Sequence, residues 1–379
     1  MGFKPPQRWL NMIKRGAVQG ALKALGLDTT IQVVTFQKVK KLNNRGFSLK
    51  LRLLPGIDFK TLEKQAGKFA VALKRENVSF IKQGKNVVLM IADNGFPKDK
   101  PTYPGEVSES IIPVKKNDLP VGKDLHGNEI TLKVFSKEGG STTLIGGNPG
   151  YGKSSLIKIL FLGLSETNTA LFWLDAKYGA DANEFRTRSE VLDNPKNPEL
   201  FLEFIVKLNQ LVDERNNFRG LGKDITTLKR IVVFIDEWAV LANSGSKQIQ
   251  TELAKELKSL ISVSRTAYVS VVLATQRPTK ENVDTTSKEL ANHRISFQVM
   301  DKYASEAILG IAGAEQGTTD LPRGTCLMTD GAKIMKVAVY EVPENMKSYV
   351  EEFKGFKISI EELLEENHIF AREHGVEIC

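Results

Sequence analysis

Residues 147–154 read Gly-Asn-Pro-Gly-Tyr-Gly-Lys-Ser, a match to G-x-x-x-x-G-K-[S/T]. An apolar run, TTLIG, leads into it and an apolar helical stretch, SSLIKILFLGL, leads out. That context confines the fold. A strand feeding a glycine-rich turn and then a helix aims backbone N–H groups and a helix N-terminus at one point, where an anion is stabilised. Glycines let the backbone approach phosphate oxygens, the lysine then bridges the terminal phosphates, and the serine hydroxyl ligates magnesium. The phosphate-binding set expected here is Gly147, Asn148, Pro149, Gly150, Tyr151, Gly152, Lys153, Ser154 and Ser155, with ATP and Mg2+ as cofactors.

The second chemical signal is RIVVFIDEWAVL, in which a run of apolar residues ends in Asp236 and Glu237, 83 residues after Lys153. Adjacent acids at the end of a buried strand are costly unless a cation or nucleotide needs them. Asp236 suits the magnesium shell, and Glu237 suits a base acting on the attacking water. A further apolar run, YVSVVLATQ, ends in Gln276 and Arg277; an amide there is placed to sense a γ-phosphate, or is an ordinary solvated strand end.

TTLIGG, ALFWLDA, RIVVFIDE and YVSVVLATQ are short and almost wholly apolar, and helical stretches such as NPELFLEFIVKLNQLVDERNNF separate them. Such strands are buried on both faces, so the expectation is an α/β fold with a mostly parallel sheet and helices on either side. A small α+β domain precedes it. Between Thr30 and Asp93 lie the runs IQVVTFQKV, FSLKLRLL, VSFIKQ and NVVLMIA and one helix, DFKTLEKQAGKFAVALKRE. The expected division is an N-terminal basic amphipathic helix over 1–29, a small basic domain over 30–98, a proline-punctuated linker over 99–120, the ATPase motor domain over 121–342 and a C-terminal helical tail over 343–379. The apolar stripe of the first helix, Leu10, Ile13, Ala17, Ala21 and Leu25, docks on the rest of the chain or meets DNA, a membrane or a partner.

Charge is distributed unevenly. The chain of 379 residues carries +8 overall, yet residues 1–98 hold 19 lysines and arginines against 5 aspartates and glutamates, a net of +14, which leaves −6 for the remainder. Concentrated positive charge points to a polyanion, because a basic surface gains affinity by releasing condensed counterions. No transmembrane segment is expected: the most apolar stretch, beginning at Leu156, is interrupted by Lys158 and Glu166. The first residues lack the apolar core of a signal peptide, and Cys326 and Cys379 cannot build a disulfide framework, so a cytoplasmic protein is expected.

Taken in order, these features resemble the FtsK/SpoIIIE family of DNA translocases, in the FtsK and HerA branch of P-loop ATPases. The likeness rests on Leu119-Pro-Val-Gly-Lys-Asp-Leu-His-Gly-Asn128, the phosphate loop, Asp175-Ala-Lys177, Asp236-Glu237-Trp238, Leu273-Ala-Thr-Gln-Arg-Pro278 and Asn292-His-Arg-Ile-Ser-Phe-Gln-Val299. It continues in Ala304-Ser305, Ile308-Leu309-Gly310 and Gly313-Ala-Glu315, and so covers roughly residues 111–342. The basic module resembles the small domain preceding the motor in plasmid and conjugative-element relatives.

The resemblance implies that the α/β fold is a RecA-like P-loop ATPase core with a mostly parallel sheet, and that it drives ATP-dependent movement along double-stranded DNA through a homo-hexameric ring, in plasmid, conjugative-element or phage DNA transfer. It assigns Lys153 and Ser154 to nucleotide and magnesium, Asp236 and Glu237 to hydrolysis and Gln276 to γ-phosphate sensing. A neighbouring subunit is expected to supply an arginine, Arg265 or Arg294. A membrane or transfer-channel protein is the expected recruiting partner. Two departures stand out: Asn-Pro-Gly-Tyr replaces the Thr-Gly-Ser type of loop, and Glu306 stands where relatives often carry arginine. The 37 residues after Val342 are too few for the winged-helix domain of chromosomal members. The competing reading is an ATP-regulated DNA-binding switch, for replication or partition, that does not translocate; a metabolic kinase is disfavoured by the basic module.

Overall fold

The computed structural model describes residues 7–33, 41–42, 46–75, 77–83, 86–92, 101–103, 118–124, 127–179, 181–279, 285–315, 321–329 and 334–378. The chain divides into two compact units, one of residues 1–99 with 125–128 and the other of residues 100–124 with 129–379.

The smaller unit contains helix α1 (Gln7–Ala24), strands β1 (Ile31–Val33), β2 (Lys41–Leu42) and β3 (Gly46–Leu53), helices α2 (Phe59–Lys64) and α3 (Ala66–Leu73), and strands β4 (Asn77–Gln83) and β5 (Asn86–Ala92). Its sheet is antiparallel in the order β1-β3-β5-β4, with β2 paired to β3. Alternation in β3 is as read from sequence: Leu49 and Leu51 are buried, Lys50 and Arg52 exposed. Phe69 of α3 meets Phe80 of β4 edge to face at 5.1 Å, at the centre of the small core. Two expectations need correction. The single helix expected from Asp58 onward is broken at Gln65, whose N–H bonds the Leu62 carbonyl and tightens the last turn of α2. Among the described side chains of α1 the buried stripe is Val18, Ala21 and Leu22 followed by half-buried Leu25, whereas Ala17 is exposed; the side chains of Leu10 and Ile13 lie outside the described residues. A stripe at i, i+3, i+4 and i+7 puts the larger valine, not the alanine, against the sheet.

The larger unit is built on a ten-stranded sheet. In chain order its elements are β6 (Asp118–Asp124), β7 (Glu129–Lys133), β8 (Thr142–Gly146), α4 (Lys153–Ser165), β9 (Thr169–Asp175), β10 (Glu190–Leu192), α5 (Pro198–Gly220), β11 (Arg230–Asp236), α6 (Trp238–Leu241) and α7 (Lys247–Val263). There follow β12 (Val269–Thr275), α8 (Thr285–Leu290), β13 (His293–Phe297), α9 (Lys302–Leu309), β14 (Thr325–Thr329), β15 (Ile334–Val339), α10 (Met346–Glu351) and α11 (Ile360–His374). The strand order is β10-β9-β11-β12-β8-β13-β14-β15-β6-β7. The first six strands run parallel, and from β13 onward each pairing is antiparallel.

Successive residues of the central strands feed two separate cores. Phe172, Leu174, Val233 and Ile235 face α5 and α7, while Leu171, Trp173, Val232 and Phe234 face α4. This is why those strands read as unbroken apolar runs. Residues 99–100 and 104–117 of the expected linker lie outside the described residues; of the rest, Tyr103 packs on Tyr340 and Asp118–Pro120 belongs to β6. Beyond residue 342, Ile360 and Leu363 of α11 enter the core beside α5. Arg215 of α5, fully buried, reinforces that junction by donating to Asn367 Oδ1 at 3.1 Å.

Candidate active site

Strand β12 lies between the phosphate-loop strand β8 and the acid-bearing strand β11, and all three run in one direction. Their carboxyl ends therefore open on a common edge, where ligands of open α/β sheets bind. At that edge stand the phosphate loop after β8, Asp236 and Glu237 at the end of β11, and Thr275 and Gln276 at the end of β12.

The loop needs its glycines for contact as well as for conformation. Gly147 has φ +149° and a Cβ there would fall 2.6 Å from Phe297 Cβ; Gly152 has φ +119° and a Cβ there would fall 2.9 Å from Phe297 Cε1. Phe297 of β13 is thus the floor of the loop. Asn148 N–H donates to the Gln298 carbonyl at 2.8 Å, while Pro149 and Gly150 form an exposed turn. Lys153 opens α4, and its ammonium donates to the Gly147 and Asn148 carbonyls, the latter at 3.0 Å. Burial pulls its pKa down to about 8, with Glu237 opposing and Lys177 adding to the shift. Ser154 and Ser155 follow in the first turn, both half-buried. The Ser154 hydroxyl donates to Asp181 Oδ2 at 2.9 Å.

On β11, Glu237 adopts φ +66°, ψ +58°, a left-handed conformation that costs a side-chain-bearing residue about 1 kcal/mol or more. The turn brings its carboxylate to the end of β12. There the Gln276 N–H donates to Oε1 at 2.9 Å and Oε2 at 3.1 Å, and the Thr275 hydroxyl lies 3.3 Å from Oε1. Glu237 and Gln276 are therefore brought together by a backbone bond. Asp236 is bonded to the Lys177 ammonium, which also comes within 4.0 Å of Glu237. Burial raises the Asp236 carboxyl above the ordinary range, and Lys177 counteracts it. Asp175, at the end of β9, is fully buried; its Oδ1 accepts the Lys177 N–H and its Oδ2 has no hydrogen-bond partner among the described residues.

Arg265 and Arg294 are not brought to this edge. Arg265 precedes β12, pairs with Glu138 at 2.6 Å, and is separated from Gln276 by about 20 Å of strand. Arg294 sits near the start of β13, in register with Leu144, with its guanidinium against Gly310. Glu306 lies on α9. Two groups escaped the reading of the sequence. Asp181 contacts Ser154, and Arg323 stands over the ring of Tyr151 at 6.0 Å while Gly324 N–H donates to the Tyr151 carbonyl. Asp181 had one available signal: it lies in the segment following a buried strand, at the ligand-binding edge.

The donor set fits magnesium and nucleotide. Ser154 and Asp236 are hard oxygen donors, as Mg2+ requires, Asp175 leaves an orphaned oxygen among the described residues, and the glycine cradle leaves the loop backbone free to approach phosphates.

Known proteins resemble this chain in sequence and in fold. The model of the ATPase family associated with various cellular activities (AAA) matches residues 143–299. The DNA translocase FtsK of Rhizobium meliloti (strain 1021) is 37% identical over 116 residues, which is 30% of this chain and 12% of that protein. The FtsK of Staphylococcus epidermidis (strain ATCC 12228 / FDA PCI 1200) is 25% identical over 289 residues, 66% of this chain and 35% of that protein. The chain thus spans about a third or less of the length of these curated relatives. Among solved structures, the pCW3 conjugation coupling protein TcpA, in a monomer form with ATPgS, superposes with a TM-score of 0.56 at 19% identity, covering 93% of this chain and 99% of that one. The cytoplasmic domain of the Thermomonospora curvata Type VII secretion ATPase EccC gives 0.55 at 17% identity, covering 68% and 34%. The chain thus has a P-loop ATPase-like α/β fold, matches the AAA model over residues 143–299 and is similar in sequence to the FtsK DNA translocases.

Proposed function

We propose that the protein converts ATP hydrolysis into movement of double-stranded DNA, working as a homo-hexameric ring in the cytoplasm during plasmid, conjugative-element or phage DNA transfer. The observation that carries the reading is the bond between the Gln276 N–H and both oxygens of Glu237. It ties the group that would take the proton of the attacking water to the strand end that would sense the γ-phosphate. A displacement of Gln276 on phosphate loss would move the base with it.

In this reading Lys153 and the loop N–H groups bind the phosphates, and Ser154 and Asp236 hold Mg2+, which neutralises charge on the β and γ oxygens when bound. Glu237 orients and deprotonates water. Arg265 or Arg294 would act on a neighbouring subunit's site. Homology to FtsK translocases, the fold shared with a conjugation coupling protein and the +14 charge of residues 1–98 support DNA as the partner. A membrane or transfer-channel protein would recruit the ring; no helix among the described residues is long and apolar enough to cross a membrane.

The test is displacement of a triplex-forming strand from duplex DNA, with ATPase rates measured with and without duplex. Strong stimulation with displacement supports the motor. Binding and slow hydrolysis without displacement would leave an ATP-regulated switch.

A further inference from the structure

We propose that Asp181 is a positioning residue of the magnesium site, acting through Ser154; the proposal rests on the reading of this edge as a Mg-ATP site. A serine hydroxyl is a weak neutral ligand with a freely rotating proton. It serves a cation well only when that proton is directed elsewhere and its lone pairs are left to the metal. The structure supplies the acceptor: Ser154 Oγ donates to Asp181 Oδ2 at 2.9 Å, across 27 positions of sequence. The paired acids of β11 do not perform this task, since Asp236 is engaged by Lys177 at 3.1 and 3.2 Å and Glu237 by the end of β12. Asp181 is therefore the acid bonded to the serine, and Asp236 the acid bonded to Lys177.

Asp181 also has the charge balance of a group held in place rather than one merely solvated. Lys158, one turn further along α4 than Ser154, lies 3.8 Å from Asp181 Oδ1 and 3.2 Å from Glu184. The same helix thus presents a hydroxyl to one carboxylate oxygen and an ammonium to the other. Only about a quarter of the Asp181 side chain is exposed, so its field at Ser154 is less screened than that of a surface acid. A carboxylate that orients a metal ligand raises that ligand's donor strength, and its loss commonly costs 10–100-fold in metal affinity.

The experiment measures magnesium dependence of nucleotide binding, not turnover. Full-length protein is mixed with a fluorescent ADP analogue and titrated with MgCl2, and parallel samples in EDTA report metal-free binding. For Asp181→Ala the magnesium concentration at half-saturation should rise about tenfold or more, with binding in EDTA unchanged. Asp181→Asn, which keeps the shape and an acceptor but not the charge, should shift in the same direction by less, and serves if the alanine variant does not fold. Lys158→Met removes the ion pair but spares the acceptor of Ser154, and should leave the requirement unchanged. An unaltered magnesium requirement in both Asp181 variants overturns the proposal. So does an equal shift in Lys158→Met, which would assign the effect to the salt bridge. Failure of the parent to bind the analogue with magnesium present would instead refute the Mg-ATP site itself.

Discussion

The Lys177 ammonium lies 3.1 Å from one carboxylate oxygen of Asp236 and 3.2 Å from the other, and it is a quarter exposed while Asp236 is almost fully buried. With Glu237 at 4.0 Å and Asp175 two residues back along the chain, Lys177 is the cation in direct contact with a group of three buried acids, and Lys153 adds to it at longer range. Removing a partner from a buried pair leaves an uncompensated charge, which costs more than the pair itself contributes.

Lys177→Met should therefore destabilise the larger unit by about 2–3 kcal/mol, at the low end for a buried pair because the lysine is partly solvated. A loss of that size lowers the melting temperature by about 3–5 °C in a unit of this length. Added MgCl2 should recover more of the melting temperature in the variant than it adds to the parent, since a divalent cation can take over the compensation. Differential scanning fluorimetry checks both, and a variant melting with the parent at every magnesium concentration would show that Lys177 carries no such charge.

Lys153 leads to a pH dependence. In the free protein its pKa is lowered to about 8, chiefly by burial. Phosphate binds the charged form and raises that pKa, so the complex keeps a proton that the free chain has lost above pH 8. Affinity for ATP should be full at pH 7 and weaken as pH rises past 8, approaching tenfold per unit. Calorimetry near pH 8.5 in two buffers of different ionisation enthalpy should register proton uptake on binding, and Lys153→Ala should not bind at any pH. A flat affinity from pH 7 to pH 9 would sink this account.

The sequence disclosed those parts of the site whose chemistry is local. The phosphate loop, Asp236-Glu237 and Gln276 each close an apolar run, and because parallel strands all end on one edge, their convergence follows from the fold. The contacts among them did not follow. Glu237 meets Gln276 only because residue 237 takes a left-handed turn, a conformation that no pattern of apolar and polar residues announces. Ser154 and Asp181 meet through a segment without periodicity. The antiparallel half of the sheet was hidden as well. Strand β6 pairs with β15 more than 200 positions later, and a short strand such as DLPVGKD has no apolar run to mark it. Residues 343–379 read as a polar helical tail because most of α11 is polar. Its few apolar positions and the buried Arg215–Asn367 bond nonetheless tie it to α5.

The basic residues of the smaller unit make a separate prediction. If they lie along a duplex, log K against log salt for DNA binding should be steep, and deletion of residues 1–98 should flatten it by several units, about 0.9 for each phosphate that the truncated protein no longer neutralises. Fluorescence anisotropy with a labelled duplex at four or five salt concentrations measures the slope. Equal slopes for the full-length and truncated proteins would mean that this charge serves a lipid or protein partner.

Glu237→Gln distinguishes a motor from a switch. The substitution preserves size and leaves one oxygen to accept the Gln276 N–H, while Lys153, Ser154 and Asp236 remain to hold nucleotide and metal. What it removes is the carboxylate that would accept a proton from water, and loss of a general base lowers turnover by about 10²–10⁴-fold. Binding of ATP should persist within a few-fold of the parent. In a ring motor the ATP-bound subunits should then stay closed on DNA, giving an oligomer that dissociates slowly and displaces no triplex strand. Light scattering coupled to size exclusion, with duplex DNA and ATP present, measures its mass. Parental hydrolysis in Glu237→Gln would remove Glu237 from the role of base, and a variant that stays monomeric on DNA at saturating ATP would leave the ring without support and favour the switch.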